Sequence, residues 1–235
     1  MRILLISNST MPGEAYLDYP KHEIKQFLGD KPLTALFIPY AAVTFSFELY
    51  EQKVAERFAE LGFQLKSIHH FDDSIKAVRD AQVIVVGGGN TWQLVRMMHD
   101  NRLMEVIREK VVNGTPYIGW SAGANVACPT LRTTNDMPII DPKGFDTLDL
   151  IPFQINPHYL DANPAGHGGE TREQRIDEFI EINPTLFVVG LREGTMLRVE
   201  DEQMRLIGNR TARIFLKGNT PLELSPDNDL SFLLE

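Results

Sequence analysis

The sequence predicts an α/β fold: a single-domain, doubly wound, mostly parallel sheet with flanking helices and an antiparallel C-terminal portion. Short β-rich runs alternate with helical stretches, which is the spacing of βαβ units, and these runs cover residues 3–7, 33–39, 65–69, 82–86 and 116–120. The four residues 83–86 are all apolar, as expected for a central parallel strand buried on both faces. A chain of 235 residues suits one large domain spanning residues 1–235.

The first clear helix is predicted over residues 47–61. Its apolar residues recur at steps of three and four positions and form one stripe: Phe47, Tyr50, Val54, Phe58 and Leu61. Gly62 follows and is a typical helix terminator. We therefore expect this helix to cover one face of the sheet.

The middle of the chain is predicted to be loop-rich, because six prolines fall between residues 129 and 164. Long ordered loops commonly serve a site. A helix begins at Thr171, which forms a capping-box pattern with Gln174, and ends before Pro184. The tail predicts short antiparallel strands with turns at residues 201–202 and 208–209, and these strands cover residues 187–191, 196–200, 204–207 and 213–216.

The composition argues against several classes of partner and cellular location. The formal net charge of -9 argues against nucleic acid or an anionic membrane, because both attract an excess of Lys and Arg. The single cysteine, Cys128, excludes an internal disulfide and is predicted to be a buried, inert thiol. No apolar run reaches membrane-spanning length, and the apolar run near the start is too short for a signal peptide. We expect a cytoplasmic protein.

Residues 115–123 contain the strongest chemical motif. An apolar strand runs into Gly-Trp-Ser-Ala-Gly, with Ser121 at its centre. In this strand-turn-helix context the two glycines allow close backbone packing, and the serine is presented outward as a nucleophile. The alternative is that Ser121 only caps the following helix, since serine is a favoured N-cap residue.

A nucleophilic serine needs a base, and the chain has six histidines. His158 follows an apolar run and a proline that would fix its turn, whereas His167 lies between two glycines and is its rival. His69 and His70 close the third predicted strand and could also approach a site. His22 and His99 lie in polar helical settings that are typical of solvated histidines.

A triple glycine at residues 87–89 follows the buried strand, and Asn90 and Thr91 resemble the cap of the next helix. Its backbone N–H groups, together with that of Ala122, could form an oxyanion hole. The alternatives are a phosphate cradle or a ligand-free tight turn. A dinucleotide fingerprint requires glycine where Trp92 stands, and no P-loop is present, so nucleotide binding is not expected.

Two acids are candidates to orient the base: Asp136 in a loop, and Glu193 at the end of a predicted strand. Strand-end placement favours Glu193, although either residue could be an ordinary loop acid. Neither a His-Glu-x-x-His motif nor paired cysteines are present, so no metal and no cofactor are expected. Arg172 opposes the helix dipole in the first turn of its helix; it either pairs with Glu170 or Glu173 or faces an anionic substrate group.

Taken together, the motifs resemble those of peptidase E, the α-aspartyl dipeptidase family of serine peptidases. The motifs, in order, are Val-Gly-Gly-Gly-Asn-Thr, Gly-Trp-Ser-Ala-Gly-Ala-Asn, Arg-Thr-Thr-Asn-Asp-Met-Pro-Ile, Gln-Ile-Asn-Pro-His and Gly-Glu-Thr-Arg-Glu-Gln-Arg-Ile. The resemblance covers nearly the whole chain and is weakest after about residue 195. It implies a cytoplasmic, cofactor-free enzyme, related in fold to class I glutamine amidotransferases, that cleaves dipeptides with an N-terminal aspartate.

The resemblance also assigns roles to residues. It makes Ser121 the nucleophile and His158 the base, leaves the third triad member between Glu193 and Asp136, and matches Arg172 to the ligand of the aspartate side chain. The expected oxyanion donors are the N–H groups near Gly88, Gly89 and Ala122, with Asn90 and Thr91 beside them as substrate-binding residues. One departure is Arg192, immediately before Glu193, where relatives carry proline.

Two alternative functions stay open at this point. A cyanophycinase-like peptidase would cut β-aspartyl-arginine bonds, and a catalytically silent module would bind Asp-containing ligands without consuming them. Under the favoured function the partners are small Asp-X peptides, with no nucleic acid or membrane. The sequence leaves open whether the protein is a monomer or a homodimer.

Overall fold

A computed structural model describes all 235 residues of the chain. It contains eleven strands: β1 (Arg2–Ile6), β2 (Thr34–Ile38), β3 (Gln64–Ser67), β4 (Val83–Val86), β5 (Tyr117–Trp120), β6 (Gln154–Tyr159), β7 (Val188–Arg192), β8 (Met196–Glu200), β9 (Gln203–Ile207), β10 (Ala212–Phe215) and β11 (Leu222–Leu224). The seven α-helices are α1 (Lys21–Leu28), α2 (Phe47–Glu60), α3 (Ser74–Asp80), α4 (Thr91–Asp100), α5 (Leu103–Val112), α6 (Ala122–Asn125) and α7 (Arg172–Ile182).

The larger sheet has seven strands in the order β3-β2-β4-β5-β1-β8-β9. Its first five strands pair in parallel, and β8 and β9 join one edge antiparallel, which confirms the predicted mostly parallel sheet. The register places Trp120 beside Ile6, and Gly119 beside Val86. The carboxyl ends of β1, β4 and β5 therefore meet at one edge, where parallel sheets bind ligands.

A second sheet has four strands in the order β11-β10-β7-β6. The sequence did not predict β6, because Pro157 within a run argues against a strand interior. The structure accommodates this proline where the β6–β7 pairing shifts register between Pro157 and Tyr159. The β6–β7 pair is parallel, so the tail is not wholly antiparallel. One core cluster contains side chains of both sheets, including Ile3 and Ile155, and so joins the two layers.

The two helices predicted in most detail are present. Helix α2 begins after Ser46, whose side chain accepts a hydrogen bond from the Leu49 N–H, and it buries Tyr50 and Val54 from the predicted stripe. Helix α7 begins after Thr171 with both hydrogen bonds of a capping box. These helices position the walls of the site described below.

The sequence predicts a buried, inert thiol at Cys128, and the structure agrees. Cys128 is fully buried, its Sγ accepts a hydrogen bond from the Ile155 N–H at 3.1 Å, and burial raises the pKa of this thiol well above its usual range. Such a thiol is unreactive at neutral pH.

None of the helices is both long enough and apolar enough to cross a bilayer.

Candidate active site

Ser121 lies in the turn between β5 and α6, with φ 53° and ψ -111°. Both glycines of its motif are required by close approach: a Cβ on Gly119 would lie 2.2 Å from the Gly123 carbonyl oxygen, and one on Gly123 would lie 2.1 Å from the Val86 carbonyl oxygen. A positive φ is rare for serine and is typical of strained functional turns. The tight turn presents Ser121 at the carboxyl edge of the sheet, as the sequence motif predicts.

His158 reaches Ser121 from the second sheet. It occupies the irregular position in β6 and also has a positive φ, 53°. Its Nε2 lies 2.9 Å from the Ser121 Oγ. The bulge turns this side chain out of the ladder and toward Ser121, and β-bulges are common beside active sites.

Glu193, immediately after β7, contacts the other side of the same imidazole. Its Oε1 lies 2.6 Å from the His158 Nδ1. Asp136 lies elsewhere: its Oδ2 accepts hydrogen bonds from the N–H and hydroxyl of Thr91 at 2.7 and 2.6 Å, and one from the Thr134 hydroxyl at 3.1 Å. The structure therefore brings Ser121, His158 and Glu193 into one hydrogen-bonded chain and uses Asp136 to anchor the start of α4.

Ser7 connects the two sheets behind this chain. It follows β1 and is fully buried. Its hydroxyl donates to the Leu191 carbonyl at 2.7 Å and accepts from the His158 N–H at 3.0 Å. One buried hydroxyl thus holds the end of a first-sheet strand against β6 and β7, directly at the histidine.

Unpaired backbone N–H groups lie next to Ser121 in the chain and in the adjacent glycine-rich turn. The N–H groups of Gly88, Gly89 and Ala122 donate to no backbone or side-chain acceptor. Gly88 packs against Ser121, since a Cβ on Gly88 would lie 3.0 Å from the Ser121 Cβ. The Tyr50 hydroxyl donates to the Gly88 carbonyl at 2.8 Å. Because C=O and N–H point in opposite directions across a trans peptide, this bond fixes the direction of the Gly89 N–H.

Asn90 and Thr91 are used by the fold itself. The Asn90 Oδ1 accepts from the Gln93 N–H at 3.1 Å, and its Nδ2 donates to the Met137 carbonyl at 3.0 Å. Thr91 is 1% exposed. These contacts cap α4 and hold the loop that carries Asp136, so a direct substrate contact by either residue stays a prediction.

Arg172 is a half-buried cation that forms no ion pair. Its neighbour Glu170 pairs with Arg175 at 3.7 Å, and Glu173 pairs with Arg213 at 3.0 Å, so neither forms the local pair considered from the sequence. Burial, and then the charge of Arg175, lower the pKa of Arg172, while the charge of Asp136 opposes this shift.

Arg172 lies beside β6, the strand that carries His158. It lines a small cavity of about 60 Å³ together with Asn135 and Asn156. The Asn135 Nδ2 donates to the Pro157 carbonyl at 2.6 Å, on the residue before His158. The guanidinium is therefore available to an anionic group close to the end of β6.

The other histidines lie away from Ser121. His69 and His70 belong to a short 3₁₀ turn after β3, where the His70 Nε2 lies 2.5 Å from a Glu51 carboxylate oxygen. Ligand atoms of Glu51, His69 and His70 lie within 4.8 Å of one another, a grouping suited to a metal ion that no sequence spacing indicated. His167 lies in an exposed loop, and the histidine that hydrogen-bonds to Ser121 is His158.

A cavity of about 520 Å³ opens beside Ser121 and His158. Tyr16, Tyr50 and Trp120 line it, and the Trp120 Nε1 donates to both tyrosine hydroxyls at 3.0 and 3.1 Å. Burial raises the pKa of Tyr16 to about 12, so its hydroxyl stays protonated. Tyr50 belongs to the predicted helix stripe, but no local motif marks either tyrosine as part of a site.

Arg192 is the last residue of β7 and directly precedes Glu193. Its guanidinium pairs with Asp161 on one side and with Glu223 on the other, and donates to the Thr211 carbonyl at 2.8 Å. The adjacent Glu193 instead faces His158. Two carboxylates thus neutralise the Arg192 guanidinium.

Comparison with known proteins agrees with this architecture. The model for peptidase family S51 matches residues 3–207. Peptidase E of Nostoc sp. is 52% identical over 234 residues, covering 100% of this chain and 97% of the relative. Peptidase E of Salmonella paratyphi A is 48% identical over 224 residues, covering 95% of this chain and 97% of that protein.

Among solved structures, a peptidase from an acI-B1 actinobacterium superposes with a TM-score of 0.71 at 21% identity. The match covers 98% of this chain and 96% of that one, and at this identity it shows a shared fold. The sequence relatives and the family model go further than the fold. They show that this chain belongs to peptidase family S51 and is a peptidase.

Proposed function

We propose that this peptidase is a serine dipeptidase that hydrolyses dipeptides with an N-terminal aspartate. The observation that carries the proposal is the hydrogen-bonded chain from the Ser121 Oγ through His158 to Glu193. A serine hydroxyl, an imidazole and a carboxylate in this order form the apparatus of acyl transfer on several unrelated folds.

In the first half of the reaction, the Ser121 Oγ attacks the carbonyl carbon of the aspartyl residue. The His158 Nε2 takes the serine proton and then gives it to the leaving amine, which departs with the second residue. The Glu193 carboxylate stabilises the transient imidazolium through the Nδ1 bond. A water molecule, activated by the same imidazole, then hydrolyses the aspartyl ester.

The tetrahedral intermediate carries a negative charge on the former carbonyl oxygen. The unpaired N–H groups of Gly88, Gly89 and Ala122 are the donors available to it. Each donor of an oxyanion hole contributes about a hundred- to a thousandfold in rate. No metal ion is required for this step.

Arg172 supplies the preference for aspartate. Its guanidinium has no carboxylate partner within the protein and lies near the end of β6. A guanidinium binds a carboxylate through two parallel hydrogen bonds, so the β-carboxylate of the substrate is its natural partner. A longer glutamate side chain misplaces either that charge or the scissile carbonyl, and an alanine side chain leaves the cation without a partner.

The test is a dipeptide panel of Asp-Leu, Glu-Leu, Ala-Leu and Leu-Asp, assayed with the parent protein and with Ser121→Ala, with and without a chelator. We expect cleavage of Asp-Leu alone at a high rate, its loss in Ser121→Ala, and no effect of the chelator. Undiminished cleavage by Ser121→Ala, or inactivation by the chelator, would overturn the serine mechanism.

Two further arms address the alternative functions. Comparing α- with β-linked Asp-Arg separates an α-aspartyl dipeptidase from a cyanophycinase-like enzyme. Labelling with a fluorophosphonate separates an enzyme from a silent binding module, because the probe reacts only with an activated serine. Preference for the β-linked peptide, or an unlabelled Ser121, would contradict the proposal.

A further inference from the structure

The cavity beside Ser121 contains an unpaired lysine. Lys53 projects from α2 and lines the cavity together with Ser121 and His158. Its Nζ lies 4.0 Å from the centroid of the Tyr16 ring, and no carboxylate lies within ion-pair distance of it. Apart from His158, it is the only basic side chain among the residues that line this cavity. Its ammonium group is therefore held at the wall and free to bind an anion.

Exposed apolar side chains flank this lysine. Phe45 is 46% exposed and Leu49 is 60% exposed, and both line the same cavity. The Phe45 ring packs edge-on against Tyr50, with ring centroids 5.2 Å apart, which fixes part of this wall. Large apolar side chains beside a catalytic pair are suited to contact an apolar group of the substrate.

The two free cations line different cavities. Arg172 lines the small cavity beside Asn135, on the side of α7, whereas Lys53 lines the large cavity on the side of α2. Ser121 and His158 belong to the lining of the large cavity only. A dipeptide with an aspartate at one end and a free carboxylate at the other presents two anionic groups on either side of its scissile bond. This charge pattern matches the two cations.

We propose that the large cavity is the subsite for the second residue of the substrate, in which Lys53 binds the C-terminal carboxylate and Phe45 and Leu49 contact an apolar side chain. The inference rests on the proposed function and deepens it, because it names the preferred substrates as Asp-X with X apolar and with a free carboxylate. A third residue replaces that carboxylate with a neutral amide, so Lys53 also restricts the enzyme to dipeptides.

The test compares Asp-Leu with Asp-Leu amide, in the parent protein and in Lys53→Met. Losing a charge-assisted bond to the carboxylate is expected to raise KM for Asp-Leu about 10- to 100-fold while kcat changes less than about threefold. The parent protein shows the same loss with the amide. In Lys53→Met, KM is the same for Asp-Leu and its amide, because the C-terminal carboxylate and the Lys53 ammonium are the two partners of one interaction.

Lys66→Met is the matched control, because Lys66 is another exposed lysine over an aromatic ring, 4.5 Å from the Phe71 centroid, and does not line the cavity. It should retain the parent KM for Asp-Leu. A second comparison varies the second residue of the substrate. Asp-Leu is expected to exceed Asp-Lys in kcat/KM by about tenfold or more, because the leucine side chain contacts the apolar wall and a second cation beside Lys53 is repelled.

The inference is overturned if Lys53→Met binds Asp-Leu as the parent does, or if it still discriminates the acid from the amide. Failure of the proposed function gives a different result from failure of this inference. If the proposed function is wrong, the parent protein does not cleave Asp-Leu, or Ser121→Ala cleaves it as well as the parent does. In that case calorimetry still tests the role of Lys53. It measures the binding of Asp-Leu and of Asp-Leu amide to Ser121→Ala and to the double variant Ser121→Ala with Lys53→Met. Equal affinities for the acid and the amide in Ser121→Ala would refute it.

Discussion

The Tyr50 hydroxyl donates a 2.8 Å hydrogen bond to the Gly88 carbonyl oxygen. The same hydroxyl accepts from the Trp120 indole N–H at 3.1 Å, so it is fixed from two sides. The bond aligns the peptide whose N–H belongs to Gly89, one of the unpaired donors beside Ser121. A buried aromatic side chain therefore sets the direction of an N–H group that the proposed mechanism uses as an oxyanion donor.

Tyr50→Phe removes this bond and keeps the ring. We expect kcat for Asp-Leu to fall about tenfold with little change in KM, because only the charged transition state needs the aligned donor. Steady-state kinetics measure this. Tyr40→Phe is the control, since Tyr40 is equally buried at 4% exposure and does not line the cavity. An equal loss in both variants would show a general effect of removing a buried hydroxyl.

Glu193→Gln is expected to lower kcat about a thousand- to ten-thousandfold, because the amide cannot stabilise the imidazolium formed on His158. Asp136→Asn should leave Ser121 reactive toward a fluorophosphonate within about tenfold of the parent rate, because the amide oxygen can still accept from Thr91. Steady-state kinetics on Asp-Leu measure kcat, and probe labelling followed by mass spectrometry compares the reactivity of Ser121 in the two variants. Loss of labelling in Asp136→Asn with retention in Glu193→Gln would assign the third triad position to Asp136.

Arg172→Met tests recognition of aspartate. Loss of a bidentate pair with the β-carboxylate should lower kcat/KM for Asp-Leu about 100-fold or more and leave the low rate on Ala-Leu unchanged. Arg205→Met, on the exposed face of β9, is the control and should behave as the parent protein does. A parallel drop on Asp-Leu and Ala-Leu would mean that Arg172 supports the fold and does not read the substrate.

The pairs around Arg192 predict a pH-dependent contribution to stability. The hydrogen bond from Arg192 lowers the pKa of Asp161, and the Arg192 side chain is 11% exposed. A carboxylate whose folded pKa is depressed stabilises the protein above its unfolded pKa, and this contribution is lost as the pH falls through the folded value. Because the Asp161 side chain is 58% exposed and solvent screens its charge, we expect Arg192→Met to lower the free energy of unfolding by only about 1 kcal/mol near neutral pH.

The difference between Arg192→Met and the parent protein should shrink below about pH 4, where the unfolded carboxylate begins to take up a proton. Urea unfolding at about pH 7 and at about pH 3 measures it. A difference independent of pH would mean that the packing of Arg192 on Tyr159 and its bond to the Thr211 carbonyl outweigh the ion pairs.

Features encoded in short segments could be predicted from the sequence. The parallel strands, the turn at Ser121 and the capping box at Thr171 each depend on neighbouring residues, and the structure contains all three. The series of motifs also indicated the family correctly. Local patterns carry this information because strand period, glycine placement and helix caps are properties of a few consecutive residues.

Features that depend on tertiary contacts were less accessible. The choice between Glu193 and Asp136 depends on which carboxylate lies beside His158, and the freedom of Arg172 depends on Arg213 capturing Glu173 from 40 residues away. The strand at Gln154–Tyr159 was concealed by Pro157, which is tolerated only because the register shifts there. Lys53 and Tyr16 carry no motif and become notable only because they share one cavity.

Ser121 and His158, the proposed nucleophile and base, lie on different sheets, which the buried hydroxyl of Ser7 joins at the histidine. An emerging chain completes the strands around Ser121 well before it supplies His158 and Glu193. Under the proposed mechanism, a partly synthesised chain would therefore hold Ser121 without its base, and hydrolysis would wait until the second sheet docks on the first.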